Sequence, residues 1–231
     1  SAPEVADTMA PTAGTLGIEL HELVGATSCG AGIIRQANDI LQITLNARTL
    51  AMAESMGMDI ITPCATTAGT LHEDLTRLRD DPLLLAKTND VLERTSGISL
   101  RGEVGVHHLL HVIVDEVGLE KVEAKLRNPM DFRIAGFYGP NIQQTGACGE
   151  DDVYDPQYLE QLIATIGGEP VPWSSRTQSV GVPGLFSEEP TVLRQAAAAI
   201  SDAKSEGADM IVSACTLSHT VLDVYQGKAS R

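Results

Sequence analysis

The chain has 231 residues, 43% hydrophobic and 20% charged, a composition that excludes a disordered or fibrous polypeptide and supports one large or two small globular domains. Its formal net charge of −15 is spread along the sequence, which argues against a nucleic-acid partner, because phosphate binding needs clustered Lys and Arg. There is no run of about 18 apolar residues, so no direct membrane span is expected.

The start, Ser1-Ala2-Pro3-Glu4-Val5, lacks the basic and apolar regions of a signal peptide and has no initiator Met, so the chain reads as cytoplasmic and as either processed or a fragment. Four cysteines occur: Cys29, Cys64, Cys148 and Cys215. Disulfide frameworks belong mainly to small secreted chains, so buried thiols or metal ligands are expected instead.

In chain order, the apolar spacing of Val5 to Leu16 predicts a helix that Gly17 ends. Alternation over Gly17 to Leu23 predicts a short strand, and Val24 to Gly32 a glycine-containing loop. Asn38 to Met56 is the clearest amphipathic helix, stopped by Gly57. Met58 to Thr62 is an apolar strand that delivers Pro63-Cys64 to its carboxyl end. A helix start there would favour the Cys64 thiolate.

Two helices follow over Thr70 to Leu78 and Asp81 to Thr95, with Pro82 suited to a first turn. After the brief extended piece Val104 to Val106, helices are expected over His107 to Val117 and Leu119 to Leu126. Beyond a junction at Asn128 to Asp131, the order is strand (Phe132 to Tyr138), loop, helix (Pro156 to Ile166), extended segment (Glu169 to Trp173), helix (Glu189 to Gly207), strand (Asp209 to Ser213) and helix (Thr220 to Gly227). Such alternation implies a largely parallel sheet with helices outside and ligand loops at the carboxyl ends of the strands.

The halves share a pattern. Ser28-Cys29-Gly30-Ala31-Gly32 and Pro63-Cys64-Ala65-Thr66-Thr67 return as Ser179-Val180-Gly181-Val182-Pro183-Gly184 and Ala214-Cys215-Thr216-Leu217-Ser218. The spacing from Ser28 to Cys64 and from Ser179 to Cys215 is 36 positions, and the offset between the two sets is 151. We therefore expect a duplicated α/β fold: two Rossmann-like repeats with small, mostly parallel sheets, their ligand loops facing across a pseudo-twofold axis. Residues 1–127 would form a first repeat without its opening strand, and residues 128–231 the second.

These loops resemble the cysteine-rich CCG domain. It is found twice in the B subunit of heterodisulfide reductase and in related subunits of succinate dehydrogenases, thiol:fumarate reductases and lactate-utilisation complexes. Flanking segments resemble that family too: Asn46-Ala47-Arg48 with Ala53-Glu54, Asp59 to Cys64, His108-Leu109-Leu110, Phe137-Tyr138-Gly139, Gly167 to Val171 and Gly207-Ala208-Asp209.

The resemblance implies a subunit of a multi-subunit oxidoreductase that passes electrons to a disulfide or quinone. Its partners would be iron–sulfur or flavin subunits, it would be cytoplasmic or peripheral to a membrane complex, and its relatives hold noncubane [4Fe–4S] clusters. It also implies Cys29, Cys64 and Cys215 as residual cluster ligands, Cys29 and Cys64 as the metal pair, and Gly30 and Gly181 as cluster-loop glycines.

The departures from the family pattern bear on chemistry. Cys-Cys-Gly has become Ser28-Cys29-Gly30 and Ser179-Val180-Gly181. Cys-x-x-Cys has become Cys64-Ala65-Thr66-Thr67 and Cys215-Thr216-Leu217-Ser218, and Pro140 stands at a strand-end Cys position. Cys148 matches no ligand position. A [4Fe–4S] cluster normally takes four thiolates, and Ser or Thr hydroxyls are poor ligands for it.

The expectation is therefore a structural or docking subunit with degenerate cluster sites, its cysteines packed as small apolar residues. Three other readings stay open: an active electron-transfer subunit with one cluster held partly by Cys29 and Cys64, a redox disulfide between those two residues, and a chain whose cysteines were deliberately replaced. His107 and His111, four apart on the expected helix, would supply only two metal ligands. No Gly-x-Ser-x-Gly, P-loop or dinucleotide glycine pattern occurs.

Overall fold

A computed structural model describes residues 3–143 and 149–229. The elements run α1 (Pro3–Leu16), α2 (Ile33–Ala37), α3 (Asp39–Ser55), β1 (Ile60–Thr62), α4 (Ala65–Asp80), α5 (Pro82–Ser96), β2 (Val106–His108), α6 (Leu109–His111), α7 (Leu119–Lys125), β3 (Arg133–Phe137), α8 (Tyr158–Thr165), β4 (Glu169–Pro170), α9 (Glu189–Ser205), β5 (Met210–Ser213), α10 (Thr216–Leu222) and α11 (Gln226–Ala229). Contacts divide the chain into two compact units.

One unit comprises His21–Thr62 and Thr67–His107. Its core gathers Ile43, Ala47 and Leu50 of α3, Leu71, Leu75 and Leu78 of α4, and Leu92 of α5. Helix boundaries follow from caps. Asn38 accepts the Leu41 N–H at 3.0 Å to start α3, and Asp81 accepts the N–H groups of Leu83 and Leu84 at 3.0 Å ahead of Pro82 in α5. β1 and β2 form a two-stranded sheet. Buried Glu54 accepts the N–H groups of Arg101 and Glu103, both at 2.6 Å, and so ties down the chain ahead of β2.

The other unit comprises Ser1–Leu20, Pro63–Thr66 and His108–Arg231. Its sheet has the order β4-β3-β5, and both pairings are parallel. Ile134 stands opposite Pro170 on one side and Met210 on the other. β3 is covered on both faces, which is why it reads as an almost unbroken apolar run. On one face Ile134 and the adjoining Tyr138 pack with Leu159 and Ile163 of α8. On the other, Ala135 and Phe137 pack with Trp173 and with Val192, Ala196, Ala199 and Ala203 of α9. Gly136 lets α8 come close, because a Cβ there would lie 3.1 Å from Leu159.

The mixed α/β class with a small parallel sheet is as expected, and several local features are compatible with a duplication. α3 and α9 each span 17 residues. Gly57 and Gly207 follow them with φ of 67° and 81°. Asp59 and Asp209 each accept a backbone N–H near the start of the neighbouring strand, from Gly105 at 2.6 Å and Arg133 at 2.8 Å. The contact-based units are a different partition from the expected repeats, 1–127 and 128–231, because compactness and ancestry need not coincide.

Two expected elements are corrected. Gly17 to Leu23 forms no strand; half-buried alternation is not enough without a neighbouring backbone to pair with. The helix expected from His107 begins at Leu109, because His107 and His108 extend β2 and the His108 Nδ1 caps the helix by accepting the Leu110 N–H at 3.2 Å. It then widens to a π-helical turn over Val112–Val117, which Gly118 ends with φ of 84°.

Candidate functional site

Ser28 and Ser179 build the same turn: Ser28 Oγ accepts the Gly30 N–H at 3.3 Å, and Ser179 Oγ accepts the Gly181 N–H at 3.0 Å. Gly30 and Gly181 have φ of 74° and 73°, a conformation that L side chains avoid. The two loop glycines picked out by resemblance thus have a backbone reason to be glycine. Val180, at a motif cysteine position, is 2% exposed and packs in the core with Val192 and Trp173. Pro140 is exposed and has no ligating atom in its side chain.

Cys29 lies in the first-described unit. Its Sγ is 3.5 Å from Thr67 Oγ1, and its carbonyl accepts from Asn46 Nδ2 at 3.3 Å. The same nitrogen donates to Asp74 at 2.6 Å. The Asp74 side chain is fully buried and is held by Arg35 at 2.7 Å and Arg77 at 3.5 Å. The family-like Asn46 therefore anchors the cysteine loop to a buried carboxylate. Arg77 also clamps Asp39 through 2.8 and 2.6 Å bonds, which hold the Asp39 carboxyl below the usual carboxylate range.

Cys64 and Cys215 lie together in the other unit, immediately before α4 and α10. The Ala65 N–H donates to the Ala214 carbonyl at 3.2 Å, which brings the two cysteine-bearing segments side by side. Cys215 Sγ is 3.2 Å from Thr66 Oγ1, and Asn141 Nδ2 donates to that same oxygen at 3.0 Å. A hydrogen bond with Cys64 pushes the Cys215 thiol up from its ordinary pKa, and burial adds to it. Cys64 is 9% and Cys215 3% exposed, and neither is in a disulfide.

Behind the pair sits His108, 3% exposed, whose Nε2–H donates to the Ala214 carbonyl at 2.9 Å while Nδ1 accepts from Leu110. Those two bonds fix the neutral tautomer. Burial and the nearby His111 ring lower its pKa to about 4. His111 stacks edge-on against Tyr158 at 5.8 Å. His107 lies on β2, 3.3 Å from Asp59, so the expected His107–His111 pair on one helix face does not form.

The sequence singled out the three cysteines but not which two meet. Thr66, Asn141 and His108 were missed as their neighbours. The available signal was the shared 151-residue offset, since equivalent positions of a duplicated chain can approach one another. Cys148 lies outside the described residues.

Among the described residues no group of three or more His, Cys, Asp or Glu side chains is placed to hold a metal. Within one unit the motif positions offer two thiols, Cys64 and Cys215, hydrogen-bonded to each other, and a Thr hydroxyl beside them. That is two of the four thiolates a [4Fe–4S] cluster normally takes. The chemistry it does offer is that of a buried dithiol.

A three-stranded parallel α/β sheet with cysteines ahead of its helices defines the class of chain. Residues 1–72 match the family model of the cysteine-rich domain CCG. The chain is 28% identical over 223 residues to the 8-methylmenaquinol:fumarate reductase membrane anchor subunit of Wolinella succinogenes, covering 94% of this chain and 75% of that one. It is 27% identical over 217 residues to the B subunit of the ferredoxin/F(420)H(2)-dependent CoB-CoM heterodisulfide reductase of Methanosarcina acetivorans, covering 90% and 70%. A protein of Archaeoglobus profundus, itself described as like the heterodisulfide reductase B subunit, is 27% identical over 231 residues, covering 97% and 77%.

The resemblance read from the motifs is thereby borne out. A hypothetical protein from Helicobacter pylori, known from a crystal structure, shares the fold with a TM-score of 0.66 at 17% identity; the match covers 84% of this chain and 34% of that one. Among the described residues no helix is long and apolar enough to cross a membrane.

Proposed function

We propose that this chain is a component of a multi-subunit oxidoreductase, akin to the heterodisulfide reductase B subunit, with degenerate cluster sites and a structural or docking role. The relatives are named as subunits of reductases that act on a heterodisulfide or couple a quinol to fumarate, which supports a place beside iron–sulfur or flavin subunits. The observation that carries the degenerate reading is the Cys64–Cys215 contact: the two thiols of one unit bond to each other, with Thr66 completing the neighbourhood.

The test is iron and acid-labile sulfide in anaerobically prepared protein, with an absorbance spectrum and circular dichroism to establish folding. Values near zero in folded protein are expected. Iron and sulfide near about four per chain, the content of one [4Fe–4S] cluster, would overturn the degenerate reading and point to an electron-transfer subunit with ligands beyond those described.

A further inference from the structure

We propose that Cys64 and Cys215 are a redox-active dithiol, closed into an intramolecular disulfide by a small hydroperoxide and reopened by thiols. The argument is geometric. The Ala65-to-Ala214 backbone bond of 3.2 Å joins residues next to the two cysteines, so their backbones are neighbours although their positions differ by 151. Disulfides form where Cα atoms lie within about 7 Å and the Cβ vectors converge. Here both cysteines are buried members of one apolar cluster with Ala65, Ala214 and Leu110.

A polar contact flanks the pair. Asn141 Nδ2 can only donate, so Thr66 Oγ1 accepts from it. Thr66 Oγ1 also lies 3.2 Å from Cys215 Sγ, so the Thr66 hydroxyl links Asn141 to the buried sulfur. Cys64 is the more exposed of the two cysteines, 9% against 3%. It immediately precedes α4, so the start of that helix holds its backbone in place. Exposure this small excludes a bulky oxidant, and it is why a hydroperoxide is named.

The chemistry balances in two steps. The Cys64 thiolate attacks one peroxide oxygen; the O–O bond breaks, Cys64 becomes a sulfenic acid, and the other oxygen leaves and is protonated to water. Cys215 then attacks the Cys64 sulfur; the S–S bond forms, the S–O bond breaks, and the hydroxyl leaves as water with the Cys215 proton. Two thiols lose two electrons, and one peroxide takes up two electrons and two protons to give two waters. Reduction by a dithiol reverses the net change through thiol–disulfide exchange.

The experiment is peptide mapping by mass spectrometry without reductant, on the purified chain before and after stoichiometric hydrogen peroxide, with iron measured on the same sample. A peptide pair joined through Cys64 and Cys215 is expected, with accessible thiols in denaturant falling from four to two and returning with dithiothreitol. Cys215→Ser should stop at a Cys64 sulfenic acid that dimedone labels, and Cys29→Ser should leave the linkage intact. Linkage of Cys64 to Cys29 or Cys148, or an unlinked wild-type chain under peroxide, would overturn the proposal. The wild-type map decides even where a variant fails to fold. The test is separate from the iron measurement, because an iron-free chain can pass or fail it.

Discussion

His108 shows how one residue of the family-like His-Leu-Leu segment serves the fold. Its ring joins the start of α6 to the carbonyl ahead of Cys215 and is held neutral. A histidine whose folded pKa of about 4 lies below its unfolded value of 6.5 binds fewer protons when folded. Its stabilising contribution is therefore complete above about pH 6.5 and is lost as pH falls toward 4, by up to about 3 kcal/mol. Urea unfolding should show stability declining between pH 6.5 and 5, before most carboxylates titrate. A His108→Leu variant should be less stable at pH 7 but flatter across that interval, and an unchanged slope would refute the assignment. The cysteine motifs were legible residue by residue because each has a fixed local neighbour. The Cys64–Cys215 meeting was not, because nothing local in the sequence records which residues 151 positions apart will touch.

At the scale of elements, caps and glycines made the long helices readable. Asn38, Asp81 and Pro82 mark starts, and Gly57, Gly97 and Gly207 mark ends, each by satisfying or releasing terminal backbone groups. Replacing Asn38 or Asp81 by Ala should each lower stability by about 1 kcal/mol. Glu188, which makes no side-chain cap ahead of α9, should tolerate Ala with little change. Thermal melts of the three variants check the order, and an equal loss at Glu188 would contradict it. The failures were also physical. Gly17 to Leu23 alternates like a strand but finds no partner, and the apolar run after His107 hides a strand end because a histidine ring can cap a helix from an extended residue.

For the whole molecule, the excess of 31 acidic over 16 basic residues makes the folded chain repel itself. Salt screens such repulsion, with a Debye length falling from about 30 Å at 0.01 M to about 10 Å at 0.1 M. The melting temperature should therefore rise by a few degrees over that range of sodium chloride. A fall would show that the ion pairs around Asp74 and Asp39 outweigh the net charge.

The parallel sheet has a further consequence, in the timing of synthesis. Arg133, at the start of β3, meets Asp209 beside β5 across 76 positions. At about 5 to 20 residues per second, roughly 4 to 15 s of translation separate them, and twice that separates Cys64 from Cys215. For that interval β3 has at least one bare edge, and Cys64 lacks Cys215. Until β5 emerges, that edge of the sheet is open to pairing with another chain.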